Sequence, residues 1–431
     1  MLQTWRRQWT RTTGTYRLAV AQRHNQCALV GTSSATIAAP QARKKNVSDF
    51  RVGVLGLGAI GTIFFTRLGR LATVSETRKE LPILSVDALI KVEQFNTWVK
   101  KKKTATMQLV HDGQETETLE FQVLTTADKV ATACNASNVR VCALGGSTGE
   151  PHDGHKLDVL LVTVKAHDSV GAIQSLRERH RHLLKNDALC VLLQNGLGEV
   201  PTEENRERID NRWQIVSGVT FVGGRVLEFA KVKTSGLEAG KTYVAPLHRH
   251  GAETGLSGLE DTMTMPRERD DVKMQMLVDV LVAAGIHCKV LGSNEMQAML
   301  WHKLIINAAI NPLASLLNAP NRSVASSESS RRCVHLVVQE ALAVAQCEQI
   351  LLNRSQNELV DDVLEVARTT GSNVCSMLAD LRRGSSRTEI DAMTGQIVAG
   401  GKRHGIPTPT NELLLLLIKA LEEEREVRQS R

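Results

Sequence analysis

The chain has 431 residues, of which 42% are hydrophobic, 23% charged and 3% aromatic. This length and composition indicate a globular protein of two or three domains, and the scarcity of aromatic side chains disfavours a protein that stacks nucleic-acid bases. No apolar run reaches the roughly 18 residues that a membrane-spanning helix needs, so we expect no membrane partner. The eight cysteines show no C-x-x-C spacing, which predicts reduced thiols with neither a disulfide framework nor a metal site.

The formal net charge of +7 comes from the N-terminal segment. Residues 1–48 contain eight Lys and Arg and no Asp or Glu, whereas the remainder has 45 Lys and Arg against 46 Asp and Glu. Because the body is nearly neutral, we expect no nucleic-acid partner. The segment is rich in Thr and Ser and lacks a continuous apolar core, so we interpret residues 1–49 as a mitochondrial presequence. A disordered basic tail on a cytoplasmic protein is the alternative.

A glycine-rich turn opens the neutral part of the chain. The apolar run 51–55 is followed by Gly56-Leu-Gly-Ala-Ile-Gly61, and residues 62–68 then carry apolar side chains at helical spacing. Strand, glycine turn and helix in this order indicate a dinucleotide-binding unit, in which the glycines allow a tight turn and close approach of a pyrophosphate. A glycine turn without a ligand is the alternative. The predicted cofactor residues here are Gly56, Leu57, Gly58, Ala59, Ile60 and Gly61.

The remaining elements predict an α/β protein with a Rossmann-type N-terminal domain and an all-helical C-terminal domain. Strands are expected at 83–89, 159–164 and 189–193, with a helix at 169–184 between the last two. Strands that alternate with helices favour a parallel sheet. Apolar faces at helical period follow at 296–317, 333–348, 356–366, 373–382, 390–403 and 412–425. We place the dinucleotide-binding domain at 50–292 and the helical substrate domain at 293–425.

The choice of cofactor depends on the end of the second strand, where an NAD enzyme places an acidic residue against the ribose. Asp87 lies inside that strand, whereas Lys91 follows its end and offers a cation for a 2′-phosphate. This favours NADPH/NADP+, with an ordinary surface lysine as the alternative. Lys165 and Asn195 follow later predicted strands, at the carboxyl ends where ligands bind in open α/β sheets. A surface lysine and a plain Asn-Gly turn are the alternatives for these two.

A polar stripe runs along the first helix of the second half. Lys303, Asn307 and Asn311 are spaced i, i+4 and i+8, so they share one face among apolar neighbours. Burying polar groups without partners costs about 2–7 kcal/mol each, so the stripe is either an exposed face or the wall of a polar site. The apolar surroundings favour the wall. Pro312 is expected to kink or end the helix near Asn311.

Two further motifs follow. Asn373 and Ser376 are predicted to share a helix face at i, i+3. Ser386-x-x-Glu389 matches a capping box, so Glu389 is predicted either to cap a helix or to act in catalysis.

Together these motifs resemble the ketopantoate reductase family over about residues 51–421. The resemblance rests on G-L-G-A-I-G at 56–61, V-T-V-K-A at 162–166, Q-N-G-L-G at 194–198, W-H-K-L-I-I-N-A-A-I-N-P-L at 301–313, N-A-P-N at 318–321, S-M-L-A-D-L at 376–381, R-T-E-I-D-A-M-T-G at 387–395 and H-G-I-P-T-P at 404–409. Arg322 departs from the pattern, since the family usually has Gly after N-A-P-N.

The resemblance implies an NADPH-dependent reduction of 2-dehydropantoate to (R)-pantoate in pantothenate and coenzyme A biosynthesis. It implies that Lys303 is the general acid and that Glu389 orients it. The substrate residues implied are Asn195, Lys303, Asn307, Asn311, Asn321, Asn373 and Ser376. The cofactor residues that the resemblance adds to the glycine turn and Lys91 are Lys165, Asn195, Gly224 and Glu389. A reductase of another small 2-keto acid and a non-catalytic NADPH-binding sensor are the alternatives, and a homodimer is one assembly open to the family.

Overall fold

The computed structural model describes residues 49–75, 82, 84–99, 104–111, 114–125, 131–136, 138–144, 156–197, 213–235, 240–246 and 268–429. Residues 1–48 of the predicted presequence lie outside these residues. Within the described part of the chain, no helix is long and apolar enough to cross a membrane.

The described residues of the first half form one sheet of thirteen strands. The strands are β1 (Phe50–Leu55), β2 (Leu84–Lys91), β3 (Thr104–His111), β4 (Gln114–Thr125), β5 (Ala131–Ala136), β6 (Val139–Leu144), β7 (Leu157–Val162), β8 (Leu184–Leu192), β9 (Gln214–Thr220), β10 (Gly223–Glu228), β11 (Lys231–Ser235), β12 (Lys241–Pro246) and β13 (His287–Val290). Their order across the sheet is β10-β11-β3-β4-β5-β6-β2-β1-β7-β8-β9-β12-β13. The six strands from β6 to β9 are parallel, as the alternation of strands and helices predicted.

The order in which the chain adds strands to the sheet reverses between β1 and β7. The chain passes from β1 to β2 on one side and from β7 to β8 on the other, so the carboxyl ends of β1 and β7 form the crevice where open α/β sheets bind ligands. The backbone N–H of Thr163 donates to the carbonyl of Leu55 across this crevice at 3.0 Å. Helix α1 (Ala59–Ser75) packs Ile63, Phe64 and Leu68 into the core beneath the sheet.

The other helices of the described residues complete two layers. Beside the sheet lie α2 (Val92–Val99), α3 (Ala166–Arg179) and α4 (Glu268–Ala283), and the helical half contains α5 (Ser293–Leu316), α6 (Ser323–Ser326), α7 (Glu328–Cys347), α8 (Gln356–Thr369), α9 (Ser376–Arg382), α10 (Thr394–His404) and α11 (Pro409–Gln429). Trp301, Leu304, Ile305 and Ala308 on α5 are fully buried at the centre of this half. The predicted fold class is therefore confirmed.

Helix α5 continues through Pro312, so the expected end near Asn311 is wrong. A proline removes one intrahelical hydrogen bond, but the next residues Leu313, Ala314 and Ser315 are all buried. Burial of that last turn offsets the lost bond, and the helix runs on until the backbone N–H of Leu317 donates to the Leu313 carbonyl. Asn311 consequently lies within the helix and not at a terminus.

Candidate active site

The glycine turn after β1 leaves its backbone open to a ligand. Gly56 adopts a φ of +89°, which lets the chain turn directly from β1 toward α1. A Cβ on Gly61 would lie 1.9 Å from the carbonyl oxygen of Gly56, whereas a Cβ on Gly58 would meet no atom nearer than 4.0 Å. Leu57 is buried, and Ala59 and Ile60 begin α1 half-buried. Gly61 therefore allows the turn and α1 to pack closely, and Gly58 leaves space beside the backbone. This arrangement suits a pyrophosphate bound at the N-terminus of α1.

Two more predicted cofactor residues lie close to this turn. Lys91 is the exposed last residue of β2, and the backbone N–H of Gly56 donates to Leu89 O, two residues before Lys91. Gly224 lies at the start of β10, where an added Cβ would approach the Cβ of Ala59 to 3.2 Å. Both positions therefore border the beginning of α1.

Asp87 has a structural role inside β2. Its carboxylate is buried, with Oδ1 2.8 Å from the Nε of Arg140 and Oδ2 3.8 Å from an Nη atom of Arg51. Because both arginines hold the Asp87 carboxylate inside the strand, this carboxylate does not lie at the strand end, where the ribose of a dinucleotide would bind. The first acidic residue after Lys91 is Glu93, which is exposed in the first turn of α2.

Lys303 is held in a defined orientation by two acceptors, one from the loop after β8 and one from the end of β9. Its Nζ donates to Asn195 Oδ1 at 3.1 Å and to the carbonyl of Thr220 at 2.8 Å. Burial lowers the pKa of Lys303 to about 8, and the nearby charge of Glu389 opposes this shift. A lysine ammonium has three N–H groups, so one donor remains without a partner among the described residues. That donor is available to an oxygen of a bound substrate.

Asn195 connects Lys303 to Glu389. The Nδ2 of Asn195 donates to Glu389 Oε2 at 3.1 Å while its Oδ1 accepts from Lys303. Glu389 is 8% exposed, and its Oε1 accepts from the backbone N–H of Ala166 at 3.5 Å. Burial raises the pKa of Glu389, and the hydrogen bond from Asn195 acts in the opposite direction. The predicted orienting effect of Glu389 on Lys303 thus has a path through one amide.

Glu389 lies in a turn and does not cap a helix. No helix begins at Ser386, and the next one, α10, starts at Thr394, so the capping-box interpretation is wrong. The turn instead packs against the loop after β8. A Cβ on Gly196 would lie 2.1 Å from the carbonyl oxygen of Ala392, and the Leu197 N–H donates to that same oxygen. This close approach brings Asn195 and Glu389 together.

Lys165 follows β7 and is bound to the helical half. Its Nζ lies 3.0 Å from Oδ2 of Asp380, a buried residue of α9. The same carboxylate also pairs with Arg383. Lys165 therefore sits beside Ala166 and Glu389 at the crevice, with its charge compensated by an acid that the sequence patterns did not single out.

The two asparagines of the α5 stripe have different surroundings. Asn307 is half-buried, and its side chain has no hydrogen-bond partner among the residues the structure describes. Asn311 is buried, and its Nδ2 donates to the sulfur of Met393 at 3.5 Å. The Sγ of Cys375 donates to the Asn311 carbonyl, which places the N-terminus of α9 against this end of the stripe. The stripe is thus half-buried to buried and is not an exposed face; that it forms the wall of a polar site stays a prediction.

Asn321, Asn373 and Ser376 form a second polar group near α9. The Asn321 N–H donates to the carbonyl of Asn373 at 2.9 Å, and its Nδ2 donates to Thr370 Oγ1. The buried Oδ1 of Asn321 has no partner in the described part of the chain. Asn373 and Ser376 are exposed, and Arg322 is exposed beside them.

The helix predicted from Asn373 begins only at Ser376, after the N-cap Cys375. Asn373 lies in the preceding turn because its N–H donates to Thr370 O and its own carbonyl accepts from Asn321. The expected shared helix face of Asn373 and Ser376 is therefore wrong.

Sequence reasoning missed two residues that contact Lys303. Thr220 supplies a carbonyl acceptor, and its hydroxyl pairs with that of Thr242 at 2.9 Å in the core. The Phe221 ring centroid lies 5.6 Å from the Lys303 Nζ. The sequence signal that could have found them is their position at the carboxyl end of β9, an edge where ligands bind in open α/β sheets.

Comparisons with known proteins identify the family of this chain. The sequence model described as Ketopantoate reductase PanE/ApbA matches residues 52–249, and the one for the C-terminal part of the same family matches residues 295–422. The chain belongs to the ketopantoate reductase family. The predicted resemblance is thereby confirmed.

Individual members of the ketopantoate reductase family show how far the likeness extends. A protein from Vibrio cholerae serotype O1 named 2-dehydropantoate 2-reductase is 30% identical over 266 residues, covering 62% of this chain and 78% of that protein. A protein of the same name from Archaeoglobus fulgidus is 30% identical over 277 residues, covering 64% and 79%.

Solved structures share the fold. D-mandelate dehydrogenase with NADH and anilino(oxo)acetate aligns with a TM-score of 0.65 and 19% identity, over 88% of this chain and 100% of that one. A family ketopantoate reductase from Ralstonia eutropha aligns with a TM-score of 0.61 and 22% identity over the same shares.

Proposed function

We propose that the protein is an NADPH-dependent 2-dehydropantoate 2-reductase that forms (R)-pantoate for pantothenate and coenzyme A biosynthesis. The observation that carries this proposal is Lys303, a half-buried ammonium fixed by two acceptors and retaining one N–H for a ligand. The names of the Vibrio and Archaeoglobus relatives support the substrate.

The reduction of a ketone adds a hydride to carbon and a proton to oxygen. When bound, the reduced nicotinamide dinucleotide supplies the hydride. Lys303 donates a hydrogen bond to the keto oxygen, stabilises the negative charge that develops there and transfers a proton to it. With a pKa of about 8, Lys303 is mainly protonated at neutral pH yet is a stronger acid than an exposed lysine. The resulting neutral amine recovers its proton from solvent.

Asn195 and Glu389 keep the ammonium aimed at the substrate. The amide oxygen of Asn195 takes one N–H of Lys303, and the bond from its Nδ2 to Glu389 prevents the amide from turning over. A buried carboxylate near the ammonium also favours its charged form. Glu389 is thus proposed to act on the proton donor through Asn195.

The unpartnered amide groups are proposed to bind the substrate. Asn307 lies one helical turn from Lys303, and the buried Oδ1 of Asn321 is unsatisfied within the described residues. Polar groups of this kind are costly unless a ligand or water completes them. With Asn311, Asn373 and Ser376 they supply donors and acceptors for a carboxylate and hydroxyl.

The cofactor would be held by the glycine turn from Gly56 to Gly61, with Lys165, Asn195 and Gly224 beside it. A preference for NADPH over NADH is supported by the exposed Lys91 at the end of β2 and by the ion pairs that occupy Asp87. A ribose phosphate near Lys91 gains a charge-assisted contact that NADH lacks.

Turnover of a panel of 2-keto acids tests the proposal. The purified protein is mixed with NADPH or NADH and with 2-dehydropantoate, pyruvate or 2-oxoglutarate, and oxidation of the nicotinamide is followed by absorbance. We expect the highest kcat/KM for 2-dehydropantoate with NADPH. A higher kcat/KM for another keto acid would favour the alternative reductase, and tight dinucleotide binding without any turnover would favour the sensor.

A further inference from the structure

Helix α11 binds the turn that carries Glu389 on both sides of that residue. The Oε1 of Glu422 accepts a hydrogen bond from the backbone N–H of Thr388 at 2.6 Å. One helical turn earlier, the Nζ of Lys419 lies 2.8 Å from Oδ1 of Asp391. Residues three positions apart lie on one side of a helix, so a single side of α11 contacts the residue before Glu389 and the residue two positions after it.

The contact made by Glu422 is the stronger of the two. The side chains of Lys419 and Asp391 are at least 40% exposed, and exposed ion pairs contribute little because water screens them. Glu422 and Thr388 are both buried. A carboxylate that accepts from a buried N–H makes a short, strong hydrogen bond, and its loss leaves that N–H without a partner. Glu422 is therefore the group of α11 that fixes the turn.

The side chain of Glu389 is bound by the other half of the protein. Asn195 donates to its Oε2 at 3.1 Å, and the backbone N–H of Ala166 donates to its Oε1 at 3.5 Å. The second of these bonds is long and therefore weak. The position of the Glu389 carboxylate consequently also depends on how the neighbouring backbone, at Thr388, is held.

Charged groups from three elements act together with Glu389. Lys165 follows β7, Asp380 is a buried residue of α9, and Lys303 extends from α5. Coulomb attraction falls as distance grows, and an increase from about 7 to about 10 Å weakens it by about a third. A small shift of the turn therefore changes how strongly Glu389 stabilises the charge of Lys303.

We propose that Glu422 is a positioning residue for the proton transfer by Lys303. Its carboxylate oxygen holds the N–H of Thr388 and thereby keeps Glu389 at hydrogen-bonding distance from Asn195. Glu422 acts through the reach of this oxygen and not through its charge, because its partner is a backbone N–H and not the ammonium. This inference rests on the proposed function, since it takes Lys303 as the proton donor.

Two conservative variants separate reach from charge. Glu422→Gln keeps an acceptor oxygen at the same distance from the helix and removes the charge, so it should retain at least about a third of the wild-type kcat/KM. Glu422→Asp keeps the charge but withdraws the oxygens by about 1.5 Å, the length of one carbon–carbon bond. It should lower kcat/KM roughly tenfold, within the range of couplings between residues in contact.

The pH dependence of kcat/KM gives a readout that a loss of stability would not move. In Glu422→Asp, the decline at high pH should begin about 0.3–0.7 pH units lower than in wild type, roughly a third of the shift that complete removal of the Glu389 charge causes. Glu423 is exposed on the same helix, so Glu423→Ala should leave both kcat/KM and its pH dependence unchanged.

A second background shows whether the effect passes through Glu389. In the Glu389→Gln background Lys303 has no carboxylate charge to lose, so adding Glu422→Asp should lower kcat/KM by less than about threefold. A purely structural role would give the same loss in both backgrounds.

The inference is overturned by equal kcat/KM in Glu422→Gln and Glu422→Asp, or by a loss in Glu422→Asp that is undiminished in the Glu389→Gln background. Failure of either single variant to fold, followed by circular dichroism, also overturns it, because Glu422 would then maintain the whole helical half.

The pKa of Lys303 is also measured without turnover, from the pH dependence of its acylation by acetic anhydride, which peptide mass spectrometry quantifies. A wild-type protein that reduces none of the 2-keto acids, yet has a higher Lys303 pKa than Glu422→Asp, contradicts the proposed function and supports the placement of Glu389 by Glu422.

Discussion

Replacing Glu389 with Gln tests whether a buried carboxylate sets the proton affinity of Lys303. Burial lowers the pKa of Lys303 to about 8, and the charge of Glu389 opposes that shift. Two hydrogen bonds of 3.1 Å through the Asn195 amide place the charges roughly 6–8 Å apart, where unit charges attract by about 2–3 kcal/mol at an effective dielectric constant of about 20. Because one pKa unit corresponds to about 1.4 kcal/mol, removing this charge is expected to lower the pKa of Lys303 by about one to two units.

The assay is the pH dependence of kcat/KM, which reports ionisations of the free enzyme. Only the ammonium form donates a proton, so kcat/KM should be constant at low pH and fall tenfold per pH unit above the pKa. The wild-type decline is expected above about pH 8, and that of Glu389→Gln about one to two units lower. Gln keeps the size of the side chain and an oxygen that accepts from Asn195.

A surface carboxylate provides the matched control. The side chain of Glu412 is 47% exposed and its Oε1 lies 3.2 Å from the Nζ of Lys402, so Glu412→Gln should leave the decline where it is. If the Glu389→Gln profile coincides with that of wild type, or moves to higher pH, the electrostatic link between Glu389 and Lys303 is wrong.

Further predictions concern the proton donor, the substrate, the cofactor and the N-terminal segment. Lys303→Ala should lower kcat by roughly 10²–10⁴, the usual effect of a positioned general acid, while fluorescence titration shows unchanged dinucleotide binding; normal turnover would remove Lys303 from this role. Asn307→Ala should weaken substrate binding by about 1–3 kcal/mol in calorimetry, since a hydrogen bond to the substrate is lost, and an unchanged affinity would show that Asn307 does not contact the substrate. Lys91→Glu should weaken NADPH binding more than NADH binding, and equal losses would contradict a phosphate contact. Residues 1–48 fused to a fluorescent reporter should direct it to mitochondria, and a cytosolic reporter would support a basic tail.

Local patterns in the sequence were sufficient for much of the fold. The strand predicted at 51–55 agrees with β1 to within one residue. The spacing of Lys303, Asn307 and Asn311 was enough to place them on one face of α5. These features depend on neighbours within a few positions, through the side-chain periods of strand and helix. The strands from β3 to β6 were not predicted, although Thr104–His111 alternates exposed and buried side chains. Such alternation over a short length is a weak signal by itself. Consecutive strands of this group pair antiparallel with each other, so a search for hairpins was the local signal that could have found them.

The helix end considered at Pro312 and the capping box considered for Glu389 are both absent from the structure for one physical reason. In both cases a local rule, helix breaking by proline or capping by Ser-x-x-Glu, was overruled by tertiary contacts. Burial of the turn after Pro312 keeps α5 intact, and bonds from Asn195 and Ala166 hold Glu389 in a turn. Propensity is a weak preference that packing can reverse.

The site itself depends on contacts that no sequence window contains. Asn195 and Glu389 are separated by 194 positions, and the distance between them is set by the fit of Gly196 against the Ala392 carbonyl. A side chain at Gly196 would force those loops apart, and the amide would then lose either the carboxylate or Lys303. Lys303, the proposed proton donor, is therefore positioned by contacts between the sheet and the helices. Asn195 comes from one half and Glu389 from the other, so we expect the proposed reaction to require that both halves are packed together.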